Sequence, residues 1–161
     1  MTAVDPKEWT EPGAFEVAPG VHRIPLPLPM DGLRAVNVYA IATDDGLTLI
    51  DGGWAIDEAR NLLEQSLKSI DREVSDITRF LVTHVHRDHY TQAVMVRREF
   101  GSHISLGIGD KPTLDLIHST DLTEDPHVVE LRRAGAADIA KEWADFTADS
   151  TPDLTMWEYP D

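Results

Sequence analysis

Between a short β-rich run, Ile77 to Thr83, and a helical pattern, Tyr90 to Phe100, the chain reads His84-Val85-His86-Arg87-Asp88-His89. Four residues of metal-ligand type thus fall within six positions, where strand gives way to helix. In an extended stretch, residues two apart point the same way, so His84 and His86 can aim two imidazoles at one point beyond the strand end. Asp88 and His89 lie where the chain bends into the helix and reach toward a neighbouring point. Each alone has an ordinary explanation: Asp88 as a helix N-cap, a single His as a hydrogen-bonded polar residue. Together they call for a fold in which a strand delivers ligands to a cleft and a helix begins beside it. Ligands grouped two and two suit a pair of metal ions about 3.5–4 Å apart.

Composition narrows the chemistry. With no cysteine among 161 residues, disulfides, thiolate zinc sites, iron–sulfur clusters and cysteine nucleophiles are excluded. A transition metal must then be held by His, Asp or Glu, and three of the seven His fall between positions 84 and 89. Imidazole and carboxylate suit zinc, with manganese or iron as further candidates. The net charge of −15 repels phosphate, so a small-molecule substrate is favoured over nucleic acid. No apolar run approaches the ~20 residues of a membrane span. The first residues show neither a basic n-region nor an apolar core, so a cytoplasmic location is expected.

Along the chain, residues 1–20 carry several Pro and Gly with little periodicity and read as a loosely held arm. Val21 to Met30 alternates apolar residues with prolines, which predicts an edge strand or an extended segment. Asp31-Gly32 marks a turn. Val36 to Ala42 and Leu47 to Ile50 predict a hairpin around Asp44-Asp45-Gly46. Ile56, Ala59, Leu62, Leu63, Ser66, Leu67 and Ile70 follow helical spacing. Ile77 to Thr83 is expected to be a buried strand, and His103 to Leu106 another. Asp110 is placed to cap a helix containing Pro112 and Leu114. One further helix is expected from Pro126 to about Phe146, weakened at Gly135, before a tail without regular pattern. The order predicts a layered α/β fold with helices covering a sheet.

The segment His84 to His89 resembles the H-x-H-x-D-H signature of the metallo-β-lactamase fold superfamily. Asn37-Val38-Tyr39-Ala40-Ile41 followed by Leu49-Ile50-Asp51-Gly52-Gly53 is similar to that family's hairpin ending in an acidic turn. The resemblance covers roughly Val21 to Gly109. It implies half of an αββα sandwich, with residues 21–161 the N-terminal part of the domain. It also implies one or two divalent ions, zinc foremost: His84 and His86 on the first, Asp88 and His89 on the second. Asp51 matches the family's first-motif aspartate, which orients a ligand. Asp51 and Asp88 are therefore the acids expected at the catalytic centre. Arg87 and Tyr90 flank the ligands without an assigned task. The implied reaction is hydrolysis of an ester, thioester, lactone, lactam or phosphoester by a metal-bound hydroxide.

The family's domain continues with a second β-rich half that brings a further His, a bridging Asp and a final His. After His89 this chain offers His103, His118 and His127, none in such a context and each expected at the surface. The late acids Asp138, Asp145, Asp149, Asp153 and Asp161 read as solvated charge. The expectation is thus a half-site belonging to a longer, truncated or proteolysed chain, with a gene fragment or completion by another subunit of a homo-oligomer as the alternatives. A non-catalytic half-domain that binds or dimerises through its exposed apolar face is the rival from another class. A simple metal-binding or storage protein is a second.

Overall fold

Proline placement governs how the first strands meet. The computed structural model describes residues 8–29, 32–119, 125–147 and 154–161. After a short 3-10 helix, Glu8–Thr10, the first strand is β1 (Phe15–Ala18), followed by β2 (Val21–Pro27) and β3 (Ala35–Thr43). β2 is an interior strand, paired antiparallel with both β1 and β3, which corrects the edge assignment. The reason lies in the register. β1 reaches only as far as Arg23, so Pro25 and Pro27 lie past its end, where a missing N–H leaves no gap in that ladder. Part of the segment read as a loose arm is therefore a strand of the sheet; residues 1–7 and Asp31 lie outside the described residues.

The chain then turns through Asp44-Asp45 into β4 (Gly46–Ile50), with Thr43 opposite Gly46 as the hairpin pattern predicts. Two crossover units follow: α1 (Asp57–Lys68), β5 (Ile77–Val82), α2 (Arg87–Phe100) and β6 (His103–Leu106). β4, β5 and β6 are mutually parallel, because each return passes through a helix. The sheet runs β1-β2-β3-β4-β5-β6 in chain order. The carboxyl ends of the three parallel strands thus meet at one edge, the usual place for a site in such sheets.

Period-2 alternation sends Ile24, Leu26, Val38, Leu49, Phe80 and Ile104 to one face, where Leu63 and Leu67 of α1 and Tyr90, Val94 and Val96 of α2 cover them. Of the opposite face, Tyr39, Ile41 and Ile50 are partly buried, while Leu81 and Ser105 are exposed. β5 is therefore half-buried rather than buried, with Arg79 and Leu81 facing outward.

Beyond β6, α3 (Lys111–His118) starts with Asp110 at its N-cap, but the Asp110 side chain makes no capping hydrogen bond. The single helix expected after Pro126 is two, α4 (Pro126–Arg133) and α5 (Ala137–Thr147). Gly135, at φ 81°, takes a left-handed conformation that no α-helix continues through. No helix among the described residues is long and apolar enough to cross a membrane. Phe80 is fully buried at the centre of the core. Phe80→Ala is expected to lower unfolding free energy by about 3–5 kcal/mol in urea titrations. Leu81→Ala, on the outward face, should cost about 1 kcal/mol or less.

Candidate metal centre

Asp51 follows β4 directly and adopts φ 61°, a left-handed backbone that Asp tolerates better than most residues. This turn brings its carboxylate back over the neighbouring strand end. Its own N–H donates to the Leu81 carbonyl at 3.1 Å. The next residue explains why glycine follows: a Cβ on Gly52 would stand 2.7 Å from the Ala93 backbone nitrogen. α2 therefore rests on bare backbone. The Gly52 N–H donates to the His89 carbonyl at 2.8 Å, and the Gln92 N–H to the Gly53 carbonyl at 3.1 Å. The acidic turn and the first turn of α2 are thereby one rigid junction.

Into this junction Asp51 brings a buried carboxylate. It accepts from the Thr83 N–H at 2.7 Å, the Thr83 hydroxyl at 3.0 Å and His89 Nδ1 at 2.8 Å. Burial alone would push its acidity down, but the hydrogen bonds from His89 and Thr83, with the His89 charge, outweigh it and hold the carboxyl below its ordinary value. An ionised carboxylate only accepts, so the Thr83 proton points to Asp51 and the Thr83 oxygen is left to accept. His84 Nδ1 stands 3.0 Å from that oxygen. A proton on Nδ1 of both His84 and His89 satisfies Thr83 and Asp51, and it leaves each Nε2 to its own neighbours.

The rings gather as the two-residue alternation requires. The His84 and His86 centroids are 4.6 Å apart, and those of His84 and His89 are 4.0 Å apart. His86 is exposed and occupies the N-cap position of α2. Asp88 places Oδ2 3.3 Å from His89 Nε2. His89 therefore faces a carboxylate at each nitrogen. Burial lowers its proton affinity, yet Asp51 and then Asp88 raise it above the ordinary value. For His84, burial and the neighbouring His89 and His86 push the other way, and its affinity is lowered. These four side chains are of a kind that could hold a divalent ion in place of protons. Among the described residues, no three His, Asp or Glu side chains are arranged to hold a single ion.

The other sequence candidates lie elsewhere. His103 is exposed, 3.5 Å from Asp161, and His118 stacks on Tyr159. The side chain of His127, and Asp149 and Asp153, are outside the described residues. Asp138 is exposed and Asp145 pairs with Lys141. Asp161 is more than solvated charge, since it accepts the Ile104 N–H at 2.7 Å. Arg87 and Tyr90 both pack: the Arg87 guanidinium lies 4.3 Å over the Trp54 ring, and Tyr90 is fully buried with its hydroxyl on the Glu158 carbonyl. Sequence reasoning gave Thr83 no role, although a hydroxyl directly before the first His was its signal. It also missed Trp157, whose Nε1–H donates to the Val85 carbonyl at 2.9 Å. A lone tryptophan in an acidic tail, with an N–H needing a partner, was the only clue there. Beside Thr83 an open cleft of about 350 Å³ is lined by Ile50, Leu81 and Leu106 among others.

Known proteins resemble this chain in sequence and in fold. The sequence profile of the metallo-beta-lactamase superfamily matches residues 31–133. A probable metallo-hydrolase of Bacillus subtilis (strain 168) is 37% identical over 67 residues, covering 42% of this chain and 20% of that protein. Among solved structures, a metallo-beta-lactamase family protein from Thermus thermophilus aligns with TM-score 0.63 at 21% identity, over 90% of this chain and 46% of its own. A beta-lactamase domain protein from Burkholderia ambifaria aligns with TM-score 0.55 at 28% identity, over 72% and 39%. The chain spans less than half the length of each of these proteins.

In the metal-free protein the two shifted groups give the Asp51–His89 pair a window. Its contribution to stability through His89 is complete below the unfolded imidazole value of about 6.5 and fades as pH rises through the raised folded value. Through Asp51 it is complete above about 3.9 and fades as pH falls through the depressed folded value. An NMR titration should find His89 losing its proton at higher pH than His84. Asp51→Asn should bring the His89 midpoint down toward that of His84; a midpoint that stays put would contradict the pairing.

Proposed function

The chain belongs to the metallo-beta-lactamase superfamily, and from that premise we propose a metal-dependent hydrolase. Its ligands on this chain are His84 and His86 for one ion and Asp88 and His89 for a second. The observation that carries this reading is the gathering of the imidazoles: the His84 ring lies 4.6 Å from that of His86 and 4.0 Å from that of His89, and Asp51 backs the Nδ1 atoms of His89 directly and of His84 through Thr83. A bound divalent ion, zinc first and manganese or iron after it, supplies Lewis-acid activation of water and of the substrate's reacting oxygen. This chain's residues do the rest. Asp51 keeps the two imidazoles in one tautomer, and Asp88 holds negative charge beside His89.

Esters, thioesters, lactones, lactams and phosphoesters are the substrate classes in view. The charge of −15 favours small molecules among them over nucleic acid. Because the described residues close no three-donor shell, the remaining ligands are proposed to come from beyond the described residues, on this polypeptide or on a second subunit.

Two measurements test this. Zinc titration calorimetry at neutral pH should find weak binding by the 161-residue chain; tight uptake of two equivalents would mean that the ligand set is misjudged. The chain should then be assayed beside the longest product of its reading frame on lactone, thioester, lactam and phosphodiester substrates. Metal-dependent turnover confined to the longer product, lost with a chelator and in His86→Ala, is the expected result. Arg87→Ala, whose guanidinium stacks on Trp54, should leave the metal bound. Equal turnover by both products would overturn the half-site, and metal uptake without any turnover would overturn the hydrolase.

A further inference from the structure

Residues 154–161 run along α2, although nothing in their sequence pattern demands it. Arg98 Nη2 donates to the Thr155 carbonyl at 2.6 Å, and Arg98 Nε to Glu158 Oε1 at 2.7 Å. Arg97 Nη1 donates to the Tyr159 carbonyl at 2.9 Å. The end of the segment pairs with β6, the Asp161 N–H donating to the Ile104 carbonyl at 3.0 Å while Asp161 Oδ2 accepts the Ile104 N–H. These contacts dock the segment. Two others fall on neighbours of the imidazoles. The Tyr90 hydroxyl, one residue past His89, donates to the Glu158 carbonyl at 2.6 Å from 68 positions away. Trp157, packed against the core, donates its Nε1–H to the Val85 carbonyl at 2.9 Å from 72 positions away.

Val85 is the residue between His84 and His86, and its side chain is buried. The two imidazoles share one side of the chain only while the Val85 peptide keeps its orientation, since rotating it swings one ring away from the other. No helix or strand ladder fixes that peptide, because β5 ends at Val82 and α2 begins at Arg87. The indole N–H does. The geometry points to Trp157 as a positioning residue for the metal centre: it holds the Val85 carbonyl and, through it, the separation of the His84 and His86 rings. An accepting carbonyl that loses its partner turns to find another, and the loop that carries it turns with it. The metal itself enters this inference only through the proposed hydrolase.

Trp157→Phe keeps an aromatic ring in place and removes the N–H. In the metal-free protein the imidazole nitrogen signals of His84 and His86 are expected to move, while that of His22, on β2, holds. Affinity for cobalt(II) is expected to fall about fivefold to tenfold. Trp143→Phe is the matched control: it removes an indole donor, here to Asp125 Oδ2 at 2.9 Å, on α5. It should leave both readouts where they were. Unmoved His84 and His86 signals with unchanged cobalt affinity in Trp157→Phe would reduce the indole to packing and overturn the inference. Absence of cobalt uptake even by the longest product of the reading frame would defeat the hydrolase, and the imidazole signals, read without metal, would still decide the role of Trp157. If Trp157→Phe does not fold, Arg98→Gln loosens the segment from the surface of α2. That variant should move the same two imidazole signals, and their constancy would count against the inference.

Discussion

One buried carboxylate organises the carboxyl edge of this sheet. Asp51 closes β4, bonds the backbone and hydroxyl at the end of β5, and receives a ring nitrogen from the first turn of α2. Beyond the last rung of the β4–β5 ladder, both strand ends and the first turn of α2 are joined through two oxygen atoms. The cost is a left-handed backbone at a non-glycine residue and a carboxylate withdrawn from water. Both are tolerated because every partner is a donor and one of them can carry charge. Without glycine at position 52, α2 could not come close enough for His89 to reach. Sterics and electrostatics thus converge on the same few atoms.

The surroundings of this edge favour cations. A chain with 14 basic and 29 acidic residues raises the local concentration of divalent ions and lowers that of polyanions. Within the cluster the balance is finer, since His84 resists protonation while His89 invites it. His89 stands between two carboxylates, so a cation at that ring is favoured from both sides.

How much of this was legible in the sequence depends on the range of the interaction. The gathering of the imidazoles was legible because alternation in an extended run and the start of a helix are local rules, and His84, His86 and His89 obey them. The Asp-Gly-Gly turn could be located, but only its contact with Ala93 shows why position 52 is glycine. The interior place of β2 was missed because the prolines disqualify only the half of the strand that β1 does not reach. The break at Gly135 was visible as a weakness, not as a corner. The anchoring of Trp157, Glu158 and Asp161 was illegible, because it joins side chains to backbone atoms far away and has no period to betray it.

The chain order of the strands bears on how the molecule is assembled. Each strand pairs with the one made just before it, so the sheet closes only modest loops and can grow as the chain lengthens. Asp51 precedes Thr83 and His89, and the junction can set as soon as the first turn of α2 exists. The indole that steadies Val85 comes 72 positions later. A nascent chain would therefore carry its imidazoles on a loose loop until its final fastening arrives, and any ion met earlier would be held by an unfinished grip.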